Sequence, residues 1–263
     1  MIYEHLIVEE SDDVATITIN RPHVLNALSM QTVHELLHAV EQISDGRTAR
    51  ALILTGAGRA FCSGADLNAV DQSSEEGEPD RGAGLETAFN PLLESLRHLP
   101  IPLVTAINGA AAGGGCGYAL AGDIVIACKS AFFLQPFAHI GLVPDVGATW
   151  LLPRLIGKQR ATAMMMLGER ISAEQAHEWG MIYQVTEDAD LMLAAKSVAT
   201  RLAQGPTIVY GLMRQGIMDC MEGSLSEALA LERHNQQIAG QTEDHKEGVA
   251  AFLEKRQPTF RGM

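Results

Sequence analysis

A chain of 263 residues that is 47% hydrophobic and holds 25 glycines has enough apolar mass for a large core. Its net charge of −13 leaves none of the clustered cations that a nucleic acid or an anionic membrane surface requires, so partners of those classes are excluded. Cys62, Cys116, Cys128 and Cys220 are dispersed without a CxxC spacing, which argues against a metal clip or a redox pair.

The opening stretch MIYEHLIVEESDD carries acids and lacks a basic region followed by an apolar one, so no secretion signal is read there and a cytoplasmic location is expected. VATITIN (14–20) alternates with the period of a strand. A helical pattern follows Ser29, and inside it HELLH (34–38) matches the H-E-x-x-H zinc-protease motif. Val33, Leu36, Leu37, Val40 and Ile43 form that helix's apolar stripe. At about 100° per residue His34 and His38 fall on the opposite side, where zinc would sit in solvent without a third ligand. A metalloprotease is therefore the remote alternative, and no metal is expected.

RALILTG (50–56) is the next strand, and GRAFCSGADL (58–67) is a glycine-containing turn after it. The acidic stretch 71–84 reads as a solvated loop, or in a sharper version as a lid. AFNPLLESLRHL (88–99) is helical and PLVTAIN (102–108) is a strand. NGAAAGGGCGYAL (108–120) then turns on three glycines into an apolar helix whose first N–H groups point at the turn. Neither glycine turn fits a phosphate-loop or dinucleotide fingerprint, and Ser63 lacks the GxSxG elbow of a hydrolase. Two N–H donors, one from each turn, could grip a single developing oxyanion.

After the strand GDIVIAC (122–128) comes AHIGLVPDVGATWLLPR (138–154). From Ser130 to Pro153 this region is apolar or neutral except for His139 and one carboxylate, Asp145. An isolated carboxylate in apolar sequence needs compensation or takes up a proton. It reads either as the N-cap of a helix at DVGATW or as a working acid/base with a raised pKa, surrounded by Phe137, Val143 and Trp150. His139 reads as an ordinary packed histidine, with a contribution to the pocket as the alternative. Beyond Trp150 helix signals dominate: a capping-box pattern at Ser172 and Gln175 with Gly180 closing the helix, then helices at 189–203, 207–221, 225–239 and 243–256. Strand–helix alternation followed by helices predicts an α/β fold with strands buried on both faces.

NRPHVLNALS (20–29), FCSGADL (61–67), NGAAAGGGCGYALAGDIVIA (108–127), GLVPDVGATWLLPRLIG (141–157), ISAEQAHEWGMI (171–182) and FLEKRQPTF (252–260) together resemble the crotonase superfamily, the enoyl-CoA hydratases and isomerases. The resemblance implies a spiral of ββα units over residues 1–200 and a C-terminal helical trimerisation region over 201–263, with a homotrimer or a hexamer of two trimers. It implies an acyl-CoA substrate, with coenzyme A entering as part of that substrate and no further cofactor. A thioester carbonyl would lie between the backbone N–H groups of Ser63 and Gly114. Val24, Leu25, Ser63, Gly64, Ala65, Asp66 and Leu67 match segments that hold coenzyme A, and Phe252 and Lys255 match residues that reach a neighbouring subunit's coenzyme A.

Two departures carry more information than the matches. The family's hydratases place glutamates where this chain has Gly117 and Phe137, and water addition needs such an acid–base pair. Asp145 stands where members lacking those glutamates, among them dienoyl-CoA isomerases and the ring-epoxide isomerase of phenylacetate breakdown, carry their working carboxylate. The flanks of Asp145 are most like the phenylacetate branch, so the expected activity is isomerisation of an epoxidised or unsaturated acyl-CoA. The alternatives are an enoyl-CoA hydratase of weak or different activity, a scaffold that binds coenzyme A without chemistry, and an aryl-CoA dehalogenase. The last would use Asp145 as nucleophile, but it also needs a histidine that neither Asn90 nor His98 clearly supplies and a Trp in place of Phe137.

Overall fold

The computed structural model describes residues 2–46, 48–66, 80 and 82–263. Strand β1 (Leu6–Ser11) runs antiparallel to β2 (Val14–Ile19). Asp12 and Asp13 join them at φ 53° and 61°, the left-handed pair that a two-residue hairpin turn needs. Only Leu6 of β1 is buried, so this strand has no alternating pattern to read.

From there the chain lays down strands in pairs, one for each of two sheets. β3 (Ala51–Gly56) with β4 (Ala60–Cys62), β5 (Leu103–Ile107) with β6 (Ala110–Ala112), and β7 (Ile124–Cys128) with β8 (Phe132–Leu134) are each followed by a helix. Those helices are α2 (Asn90–Arg97), α3 (Gly114–Leu120) and α4 (Ala148–Leu167). The larger sheet has the order β1-β2-β3-β5-β7-β10 and the smaller β4-β6-β8-β9, with β9 at Ile171–Ser172 and β10 at Gln184–Thr186. This is the expected spiral of ββα units.

Every residue of β3 and β5 is buried, as parallel strands covered on both faces require. Helix α1 (Met30–Gly46) buries Val33, Leu36, Val40 and Ile43 as its stripe predicted. Helix α6 (Leu191–Ala203) lies on β3, β5 and β7 through Leu191, Ala195, Ala199 and Ala203. Their four-residue spacing presents one small-residue face, which lets the helix approach the sheet closely. Between these lies α5 (Ala173–Glu178), capped by Ser172 Oγ accepting from the Gln175 N–H.

The last helices, α7 (Thr207–Cys220), α8 (Leu225–Ala239) and α9 (Glu243–Glu254), stand outside this core. Three polar anchors attach them and the tail. Arg50 donates to Thr207 Oγ1, the Gly205 carbonyl and the Phe260 carbonyl. Buried Asp244 accepts from the N–H groups of Arg261 and Gly262. Arg214, also buried, meets Asp123 Oδ2 at 2.5 Å and donates to the carbonyls of Leu96 and Leu99. Truncating Arg214 to Ala strips a buried charge network of its cation and should lower stability by about 2–3 kcal/mol in urea denaturation; a loss below about 0.5 kcal/mol would show the network to be dispensable. Met213, Ile217, Leu225, Leu229, Phe252 and Leu253 remain exposed on these helices. No helix among the described residues is long and apolar enough to cross a membrane.

Candidate active site

Parallel pairing of β4 with β6, in the register Ala60↔Ala110 and Cys62↔Ala111, delivers both glycine turns to the same end of the smaller sheet. They touch there. A methyl group placed on Gly64 would stand 3.0 Å from the Ala112 carbonyl oxygen, and one on Gly113 would stand 3.8 Å from the Gly64 Cα. The Val24–Leu25 turn is bound to the same place. Asn26, fully buried at φ 57°, donates to the Ala57 and Ala60 carbonyls and accepts from the Arg21 N–H. Arg21 in turn pairs with Asp66 at 3.0 Å.

These contacts reassign the first turn. The Ser63 N–H donates to the Leu25 carbonyl at 3.1 Å and its hydroxyl faces the Val24 carbonyl, so the Ser63 amide is not free to polarise a ligand as expected. Gly64 is buried between the turns, and its carbonyl accepts from Leu28. Asp66 turns its carboxylate inward to Arg21 and its N–H to the Leu28 carbonyl, so it braces the turn and offers a ligand no side-chain contact. Ala65 is the exposed member, and among the described residues its N–H makes no hydrogen bond. Val24 and Leu25 are half-buried beside it. Leu67, and residues 71–79 and 81 of the acidic stretch, lie outside the described residues.

The second expected donor, Gly114, lies at a helix start. Gly114 opens α3 after Gly113, which turns at φ 54° and provides no side-chain cap. An N–H in the first turn of a helix has no intrahelical partner, so the Gly114 amide is available at the junction of the two turns.

Asp145 closes the site from the other side. Its Oδ1 would lie 3.4 Å from a methyl group on Gly114, and that oxygen is buried with no hydrogen-bond partner among the described residues. Burial pushes the Asp145 pKa up to about 6. The surroundings differ from those expected: Val143 is 79% exposed and Trp150 lies between the guanidinium groups of Arg97 and Arg154, each 4.1 Å from its ring centre. The enclosing groups are Gly114, Val146 and the nearby Tyr118, whose own pKa is raised by burial and, in smaller part, by Cys62 and Asp145. Nor does Asp145 cap a helix. The N-cap of α4 is Gly147, and no side chain bonds to that end. A carboxylate whose inner oxygen has no partner, whose burial is opposed only by a hydrogen bond from its own backbone, and whose pKa is about 6, is suited to accept a proton and return it.

Phe137, 8% exposed, holds its ring Cζ 3.5 Å from where a methyl group on Gly113 would stand, so an apolar face borders the turn. His139 bonds through Nε2 to the Leu167 carbonyl but is exposed, so it is not the packed histidine expected. In HELLH, Glu35 is buried and accepts the N–H groups of Glu4 and His5 on one oxygen, and the Gln31 amide on the other. His38 Nδ1 bonds to the Tyr3 hydroxyl. The Glu and the second His thus tie the N-terminal segment to α1, and the protease alternative loses its general base.

The model of the enoyl-CoA hydratase/isomerase family matches residues 9–263. The chain belongs to that family. It is 45% identical to the 1,2-epoxyphenylacetyl-CoA isomerase of Escherichia coli strain K12, over 98% of this chain and 99% of the relative. It is 33% identical to the crotonyl-CoA hydratase of Syntrophomonas wolfei, over 99% of each chain. A crystal structure of enoyl-CoA hydratase from Bacillus anthracis superposes with a TM-score of 0.93 at 33% identity, covering 99% of this chain and 100% of that one. Relatives named as isomerases and as hydratases therefore share this family fold, and the reaction of this member has to be read from its site. Phe252, 83% exposed, and Lys255, the left-handed C-cap of α9, lie on the outer surface, and Lys255 makes no ion pair among the described residues.

Proposed function

We propose that this enzyme is an acyl-CoA isomerase with a single carboxylate, acting on the ring-1,2-epoxide of phenylacetyl-CoA or on a related unsaturated acyl-CoA. The observation that carries the proposal is Asp145 Oδ1, buried and unpartnered against Gly114 while positions 117 and 137 hold Gly and Phe. The thioester oxygen sits between the N–H groups of Gly114 and Ala65, which stabilise the enolate formed when Asp145 takes the proton next to the carbonyl. The protonated Asp145 gives that proton back at a carbon further along the conjugated system, so the reaction is an isomerisation with no net proton exchange. For the epoxide the product is the ring-expanded oxepin. The 45% identity to the epoxyphenylacetyl-CoA isomerase supports that substrate. Hydration fits the site less well, because it needs a second positioned group to activate water.

Coenzyme A would lie along Val24, Leu25 and Ala65. Phe252 and Lys255 would meet the coenzyme A of a neighbouring subunit in a trimer or a hexamer, which covers the exposed apolar residues of the C-terminal helices. The chemistry needs no added cofactor, and a cytoplasmic setting suits an acyl-CoA substrate. Turnover against a panel of 2-enoyl-, 3-enoyl-, dienoyl- and aryl-epoxide CoA thioesters tests the reading: isomers are expected, and a 3-hydroxyacyl-CoA as the main product would overturn it.

The pH profile offers a separate check. Asp145 works as the ionised base and its pKa is about 6. Its kcat/KM should therefore fall about tenfold per unit below that pH and be flat above it until another group titrates. A limb near pH 4, the ordinary carboxylate range, would remove Asp145 from the role.

A further inference from the structure

Val146 combines two features that a residue between a carboxylate and a helix start rarely shows together. It is β-branched, yet it sits at φ 45°, a conformation that persists only where the surroundings enforce it. It is also 2% exposed and wedged against α3. Its Cγ2 would lie 2.9 Å from a methyl group on Gly114, and its carbonyl oxygen only 2.2 Å from one on Gly117, with Cγ1 at 2.9 Å. Gly117 is thus more than the absence of a glutamate, since the backbone of the Asp145–Gly147 turn occupies the room in which any side chain at 117 would begin.

We propose that Val146 is a positioning residue, because its side chain, wedged between Gly114 and Gly117, holds Asp145 over the site. The inference rests on the reading of Asp145 as the proton carrier. The charged and titratable groups around the turn are Tyr118 on α3, Cys62 on β4, Glu94 and Arg97 on α2 with His98 at its end, Arg154 on α4, and Asp219 and Glu222 at the end of α7. None of them is altered by a change at 146.

Three variants test this. Val146→Gly keeps the turn, since Gly adopts φ > 0 freely, but removes the wedge. Gly117→Ala pushes the turn away. Val146→Ile keeps the branched wedge. Turnover of trans-3-hexenoyl-CoA and of the aryl epoxide thioester should fall about 100-fold in kcat for Val146→Gly and Gly117→Ala, the size of effect that a displacement of ~1 Å produces, with KM changed less than about 3-fold. Val146→Ile should keep most of the turnover. In ¹³C-carboxyl NMR, with Asp145 assigned by its loss in Asp145→Asn, the Asp145 titration should move from about 6 toward the ordinary carboxylate range in both damaging variants. Wild-type kcat and an unmoved titration in Val146→Gly would overturn the proposal. Full activity of Asp145→Asn would instead sink the proton-carrier reading, and the titration in Val146→Gly would still decide whether Val146 holds Asp145 in place.

Discussion

Replacing Asp145 with Asn should abolish most turnover, by about 10³-fold in kcat, while acyl-CoA binding and the assembled fold remain. Asparagine has nearly the same shape and cannot take a proton, so the cleft and the wedge at Val146 are preserved. The same substitution should raise stability. Burial lifts the Asp145 pKa to about 6 from the ordinary 3.8, so between these values the folded state binds more protons than the unfolded state, and stability falls as pH rises through that window. The penalty is complete above about pH 6 and absent well below 4. Asp145→Asn removes it, so the variant should exceed the wild type by about 1–2 kcal/mol at pH 7–8, an amount reduced for the carboxylate's partial exposure to solvent, with the gap closing as pH falls through the window. Urea denaturation at pH 4 and pH 7.5 separates this from a packing effect, which would not depend on pH. A variant that is inactive but no more stable at pH 7.5 would mean that the carboxylate is compensated by a partner in the folded state. A fully active variant would remove the mechanism altogether.

The sequence carried the buried strands and the helices well, because a strand covered on both faces is a continuous apolar run and the longer helices have an apolar stripe, with Ser, Thr or Gly N-caps at α4, α5, α8 and α9. VATITIN and ALILTG fall where the structure has strands, and the last four predicted helices lie within a few residues of their observed bounds. Strand β1 was illegible because five of its six residues face solvent. The smaller sheet was hidden too, since AFC, AAA and FFL are three residues each, too short for a period to show. At the site, Asp145 stood out because its sequence neighbours are apolar. What encloses it could not be read in the same way: Val143, which looked like its shield, is exposed, and the buried valine is Val146, which packs with Asp145 against Gly114. Side-chain direction after a left-handed residue does not follow from spacing. The exchange of Ser63 for Ala65 as the available donor has a similar origin. Which amide of a turn is free depends on what the Leu25 and Leu28 segment already bonds, and that segment lies some forty residues away in sequence.

Removing a single backbone N–H separates those two amides. If residue 65 is incorporated as lactic acid, the α-hydroxy analogue of alanine, the main-chain amide becomes an ester and the N–H disappears while the side chain stays. Because that N–H makes no hydrogen bond among the described residues, stability should barely change. In the proposed reaction it would face the developing negative charge, where one donor contributes about 3 kcal/mol, so kcat should fall about 10²-fold. The same exchange at position 63 with the hydroxy analogue of serine breaks the bond to the Leu25 carbonyl and should cost about 1 kcal/mol of stability. It should change kcat much less, because the turn is also held by Asn26, by the Arg21–Asp66 pair and by the backbone bonds at Leu28. The opposite pattern, with turnover lost at 63 and kept at 65, would return the donor role to Ser63 and require the turn to rearrange when substrate binds. Equal and small effects at both positions would leave Gly114 as the single donor. The reaction would then depend on the thioester's own acidity and on Asp145, and Asp145→Asn would account for nearly all of the catalysis that substitution can remove.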